Sequence, residues 1–188
     1  MKKPLATLGT FVLAVGLATG MSAAAPPPAA ASGPYNEPYC GITWGSTAKS
    51  VSTMSSAQVT RVRTGRHDCY DRMVVDLNYK VKGYEAHYGS IQEVGTGTHI
   101  PMIGKDLSIT VYANAYTSAG RPTYNPSNWD SVANVAGYST FRQVAYGGSF
   151  EGHTVFGIGN RARLPYRVLI LDGPGTGSRL VVDVAHRW

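Results

Sequence analysis

From Gln58 onward the apolar positions recur with a period of two. The segment Val59-Thr60-Arg61-Val62-Arg63 alternates apolar with polar residues, and Met73-Val74-Val75-Asp76-Leu77 sends Met73, Val75 and Leu77 to one side. Such spacing puts successive side chains on opposite faces of an extended chain. Six further stretches, 84–88, 107–112, 140–146, 153–158, 166–171 and 180–184, are rich in β-branched and aromatic residues and are bounded by Gly, Pro, Asn or Asp. About eight short strands with turn signals between them predict an all-β fold, a two-sheet β-sandwich. Only 127–136 could form a helical turn or two, so at most one short helix is expected. The stretch 116–138 is the expected long loop.

One pattern occurs twice. Arg72-Met73-Val74-Val75-Asp76-Leu77 reappears as Arg179-Leu180-Val181-Val182-Asp183-Val184. In each copy the Arg, a Val and the Asp share one face and three apolar residues share the other. The apolar faces must cover a core. The Arg72, Asp76, Arg179 and Asp183 faces can form ion pairs along or across strands, each contributing about 0.2–1 kcal/mol if exposed.

The N-terminus has a different character. Lys2 and Lys3 precede a short apolar run, which ends in small residues around Met21, Ser22 and a string of alanines. This is the layout of a secretory signal peptide over residues 1–31, with cleavage after Ala24 or after Ala31. The run is too short and too interrupted for a membrane span, and no cysteine directly follows it to carry a lipid. Residues 32–39 read as a flexible tether, and 40–188 as a single domain. Export bears on the two cysteines: Cys40 and Cys69 pair most simply as one disulfide, tying the lead-in onto the body.

Composition sharpens this picture. Of 188 residues only 15% are charged, against roughly 25% in ordinary soluble domains, and there are 22 glycines and twelve tyrosines. With 43% hydrophobic residues the chain is not of disordered type. The formal net charge of +6 is too diffuse to argue for a nucleic-acid partner.

CGITWGSTAKS (40–50), VRTGRHDCYDRMVVDL (62–77), FEGHTVFGIG (150–159) and YRVLILDGPGTGSRLVVDVAH (166–186) together resemble the AMIN-like domain. That family consists of exported actinobacterial proteins. The ending, an apolar strand, an Asp-Gly-Pro turn and the RLVVDV strand, is similar to the wider AMIN group, whose members target proteins to the cell envelope. The resemblance implies a sandwich of two sheets that binds peptidoglycan without catalysis, and no cofactor.

The segment around Cys69 also raises an enzymatic alternative. It is superficially similar to the Ser-His-Gly-Cys-x-Arg core of L,D-transpeptidases, in which a thiolate attacks with a histidine base. The spacing differs: Asp68 stands where Gly is needed, and one extra residue separates Cys69 from Arg72. Five histidines are scattered without a short-spaced pair, so no metal site is expected. Glu151-Gly152-His153 reads as strand. Ser149 lacks the flanking glycine and helix of a nucleophile elbow. The glycines of 173–178 precede a strand and read as a hairpin loop.

The binding candidates are Arg63, Arg66, His67 and Arg72, close in sequence and suited to carboxylates or phosphates. Tyr124 and Trp129, in the long loop, are candidates for stacking on sugar rings. Taken together the sequence predicts a secreted or wall-associated, non-catalytic module whose partner is peptidoglycan, a cell-wall glycan or an anionic wall polymer. The alternatives are a cell-wall enzyme, transpeptidase-like or an unrecognised hydrolase, and a module docking another exported protein through a sheet edge.

Overall fold

Eleven strands, all paired antiparallel, are connected in the computed structural model, which describes residues 37–188. The expected signal peptide and residues 32–36 of the expected tether lie outside the described residues. In chain order the strands are β1 (Lys49–Val51), β2 (Val59–Arg66), β3 (Tyr70–Leu77), β4 (Tyr84–Tyr88), β5 (Ile91–Gln92), β6 (His99–Ile100), β7 (Lys105–Val111), β8 (Phe141–Phe150), β9 (His153–Asn160), β10 (Tyr166–Asp172) and β11 (Ser178–Ala185). One sheet has the order β1-β4-β7-β9-β8, the second β10-β11-β3-β2, and β5 pairs with β6 as a separate hairpin.

The eight strands expected from alternation are all present. The three additional ones, β1, β5 and β6, span only two or three residues, too few for a period to register in the sequence. The expected helical turn at 127–136 is absent. Asn128 and Asn134 instead accept the backbone N–H groups of Asp130 and Ala136 with their side-chain oxygens, 3.0 Å each. These local bonds compete with helix formation. The one helical element among the described residues is a 3-10 turn at Tyr39–Gly41. The long loop runs beside β8 and partly pairs with its edge, through Val132 N–H to Val144 O and Tyr146 N–H to Trp129 O. An otherwise open strand edge is thereby covered.

The core lies between the two large sheets. Met73, Val75, Leu77, Leu180, Val182 and Val184 enter it from one side, and Leu107, Ile109, Val111, Phe156 and Ile158 from the other. Tyr166 is wholly buried, and its hydroxyl donates to a backbone carbonyl of the first sheet, with Thr47 O and Ala86 O both at 2.7 Å.

The repeated hexapeptide is the centre of the second sheet. β3 and β11 are neighbours in a register that sets Arg72 opposite Asp183, Val74 opposite Val181 and Asp76 opposite Arg179. Read antiparallel, the repeat is complementary to itself, so one pattern specifies both partners of the pair. A two-residue slip would lose both cross-strand Arg–Asp facings.

Candidate functional site

The disulfide organises one end of the second sheet. Cys40 and Cys69 are bonded, joining the lead-in to the β2–β3 turn, as their export context predicts. The same turn is closed by His67 N–H donating to Tyr70 O, and Cys69 O accepts from His186 N–H just after β11. The lead-in is held further by Tyr166 N–H donating to Gly45 O. Trp44 is thus brought over the outer face of the sheet.

On that face Asp183 is completely buried, although it points away from the core. Its Oδ1 accepts from Arg72 Nε at 2.6 Å, and its Oδ2 from Arg72 Nη2 at 2.9 Å and Arg167 Nε at 2.8 Å. Trp44 stacks on the Arg167 guanidinium at 4.3 Å, and Tyr70 lies against both arginines, 5.2 and 5.6 Å away. The aromatic cover excludes water from the carboxylate. The hydrogen bonds to Asp183 hold the Arg72 guanidinium above its ordinary pKa, the opposing effect of burial being smaller. The second pair is looser. Asp76 is taken by Arg63, diagonal to it on β2, at 2.8 and 3.0 Å, while Arg179 donates to Asp172 O.

Of the four basic residues that sequence proximity grouped, two are therefore committed to ion pairs and two are not. Arg63 and Arg72 lie on the outer face with their carboxylates. Arg66 and His67 lie at the turn, both exposed. Among the described residues Arg66 joins none of the ion pairs. The His67 ring stacks on Tyr70, with centroids 4.6 Å apart. Arg66 and His67 line an open pocket of about 530 Å3 with Asp68, Ser139 and His186. Behind it Asp71 is buried, accepting the N–H groups of Thr140 and Phe141 at 2.6 and 3.1 Å. Its other oxygen is 3.2 Å from His186 Nε2.

Tyr124 and Trp129 separate in the same way. Tyr124 packs against the core, edge-on to Tyr146 at 5.2 Å, and burial pushes its hydroxyl up to about 12. Its ring is half-buried. Trp129 also meets Tyr146, at 4.7 Å, but remains 43% exposed. Ser149 belongs to β8, and its Oγ accepts from Ala115 N–H and Thr154 Oγ1. Glu151 and Gly152, expected on a strand, form the β8–β9 turn with φ of 47° and 84°; only His153 is in β9.

Sequence reasoning did not find the roles of Trp44, Arg167, Asp71 and His186. Asp71 and His186 are 115 residues apart, and nothing local to either announces the other. Arg167 carried one usable signal. It occupies the outward position on the strand before the second hexapeptide, directly opposite Asp183.

Among the described residues no group of three or more His, Cys, Asp or Glu side chains is arranged to hold a metal ion. Nor is any helix among them long and apolar enough to cross a membrane. No curated protein matches the chain. A family model does match, described as the AMIN-like domain, over residues 57–186, from just before β2 to the residue after β11. That span contains both large sheets apart from β1, and the chain belongs to the AMIN-like domain family.

Proposed function

We propose that the chain is an exported, non-catalytic module of the cell envelope that binds peptidoglycan or an anionic polymer attached to it. The family itself points to a cell-wall-associated module. The observation that carries the finer reading is Arg66, exposed at a pocket mouth and free of the carboxylates that engage Arg63 and Arg72. A guanidinium fork held on a strand end beside a stapled turn is suited to a carboxylate or phosphate. His67 and Ser139 offer further hydrogen-bonding groups in the same pocket. The N-terminal charge and apolar pattern supports export to the compartment where such polymers occur.

The non-catalytic reading is supported by the chemistry of the groups that could attack a substrate. Cys69 is in a disulfide and offers no thiolate, and the Ser149 hydroxyl is engaged within the fold. Docking of another exported protein has one observation in its favour: β10 is an outer strand of its sheet and Ile170 is 37% exposed there.

Co-sedimentation with purified sacculi tests the proposal. Wild type pellets with the wall, and Arg66→Ala does so several-fold less, with partial recovery in Arg66→Lys. Equal pelleting of wild type and Arg66→Ala would make the pocket a structural feature only. A wild-type protein that stays in the supernatant would refute wall binding. Release of wall fragments during the incubation would establish an enzyme.

A further inference from the structure

The first sheet has its own unpaired feature. Its outer face is half covered by the β5–β6 hairpin, which lies over Ala145 and Val155 and buries Ile91 and Ile100 against them. Glycines permit that approach. A Cβ at position 147 would stand 3.2 Å from Gln92 O, and one at 157 would stand 3.0 Å from Ile91 Cγ1 and 3.1 Å from Met102 Cε. The β4–β7 half is less covered: Glu85 is exposed, His87 and Thr110 are half-buried, and Ser108 is buried. Its outward residues are Glu85, opposite Thr110, and His87, opposite Ser108.

The step between that half and the hairpin is a groove of about 350 Å3, within the usual size range of small-ligand sites. Ser90, Gln92 and Glu93 from the hairpin side form its wall. Tyr112 and His153 stand at one end, edge to face at 5.1 Å. Two exposed aromatic rings flank the hairpin tip: Trp129, and Phe150 at 50% exposure. Trp129 Cζ3 and Val94 Cγ1 are each 3.6 Å from the place a Cβ on Gly148 would occupy, and Val94 itself lines the groove. Phe150 lies over Gly95, next in the chain.

The lining selects a ligand class. It contains two carboxylates and no Lys or Arg, so an anion is repelled. An apolar ligand would leave the hydroxyls, carboxamide and carboxylates without partners, which is costly. A sugar meets both demands. Its hydroxyls donate to Glu85 and Glu93 and exchange hydrogen bonds with Thr110 and Gln92, while the apolar C–H face of a pyranose packs on the Tyr112 ring. We propose that this groove binds a neutral stretch of a saccharide chain, with one pyranose ring against Tyr112. Because the groove is a step on an open sheet, it accepts the interior of a chain. The proposal does not rest on the Arg66 pocket, which is carried by the other sheet and takes the opposite charge.

Isothermal titration of the full chain with soluble chitohexaose, cellohexaose and maltohexaose tests it. At least one binds at millimolar concentration or below. Glu85→Gln and Tyr112→Ala each weaken that binding about five-fold or more, and Arg66→Ala leaves it unchanged. Gln92→Ala, an exposed position, stands in if Tyr112→Ala melts early. Binding of none of the three sugars overturns the proposal, as does binding that survives the groove substitutions. A tighter response to an oligolysine peptide than to any sugar overturns it too, because the carboxylates would then be reading a cation.

Discussion

Replacing Asp183 by Asn keeps the shape of the side chain and removes its charge. In the folded protein that charge is wholly buried between Arg72 and Arg167, through three hydrogen bonds of 2.6–2.9 Å. The Asn amide supplies one acceptor oxygen and presents an NH2 group to guanidinium donors that cannot accept. Removing one member of a buried pair typically costs about 3–5 kcal/mol. The Arg72 and Arg167 side chains are 24% and 35% exposed, so water recovers part of their solvation. The low end, about 3 kcal/mol, is therefore expected. For a domain of this size that corresponds to a melting temperature lower by about 6–12 °C. Asp76→Asn is the internal control, because the Arg63–Asp76 pair is 42% and 23% exposed and should lose only about 0.2–1 kcal/mol. Urea unfolding of the three proteins, followed by tryptophan fluorescence, gives both differences. If Asp183→Asn loses less than about 1 kcal/mol, or no more than Asp76→Asn, then burial beneath Trp44 and Tyr70 is not what gives the pair its strength.

Two further outcomes follow from burial and connectivity. Burial holds the hydroxyls of Tyr124, Tyr146 and Tyr166 up at about 12 in the folded state. An unfolded tyrosine ionises near pH 10, so above that pH the unfolded state binds fewer protons and stability falls with rising pH. Thermal melts should show stability intact on this account below about pH 10 and declining from there toward about pH 12. Absorbance near 295 nm should show a group of tyrosines ionising only as the fold is lost, and full, reversible titration within the folded protein would contradict the burial. Reducing Cys40–Cys69, which closes a 29-residue separation, should cost about 3–4 kcal/mol on the chain-entropy account and loosen Trp44 from Arg167. Urea midpoints with and without reductant measure it, and an unchanged midpoint would show that the lead-in is held by its other contacts.

Legibility differed with the range of the interaction. The eight longer strands were readable because one face of each is buried, and burial imposes a period of two on the residues themselves. The strand pairing of β3 with β11 was also latent in the chain, as a hexapeptide whose reversal complements it, although the repeat alone did not say that the two copies are neighbours. The candidate site was only half legible. Grouping Arg63, Arg66, His67 and Arg72 by proximity ignored that alternation and the β2–β3 turn send them to different surroundings. Arg63 and Arg72 fall where β3 and β11 present carboxylates, whereas Arg66 and His67 fall at the turn. Tyr124 and Trp129, five residues apart in one loop, diverge for a related reason. The loop turns one ring into the core and lays the other over Tyr146 near the surface.

Periodicity, turn residues and the cysteine pair therefore determined the strand class, the sandwich expectation, the disulfide and the family likeness, since each arises from local spacing or from the inventory of residues. Which arginine is neutralised, which carboxylate is buried and which half of a sheet face is less covered were decided only by the tertiary structure. Those properties depend on partners up to 115 residues away, such as His186 against Asp71, and on a small hairpin resting against glycines. A chain states what each residue is, but charge neutralisation and exposure belong to the surroundings that folding assembles.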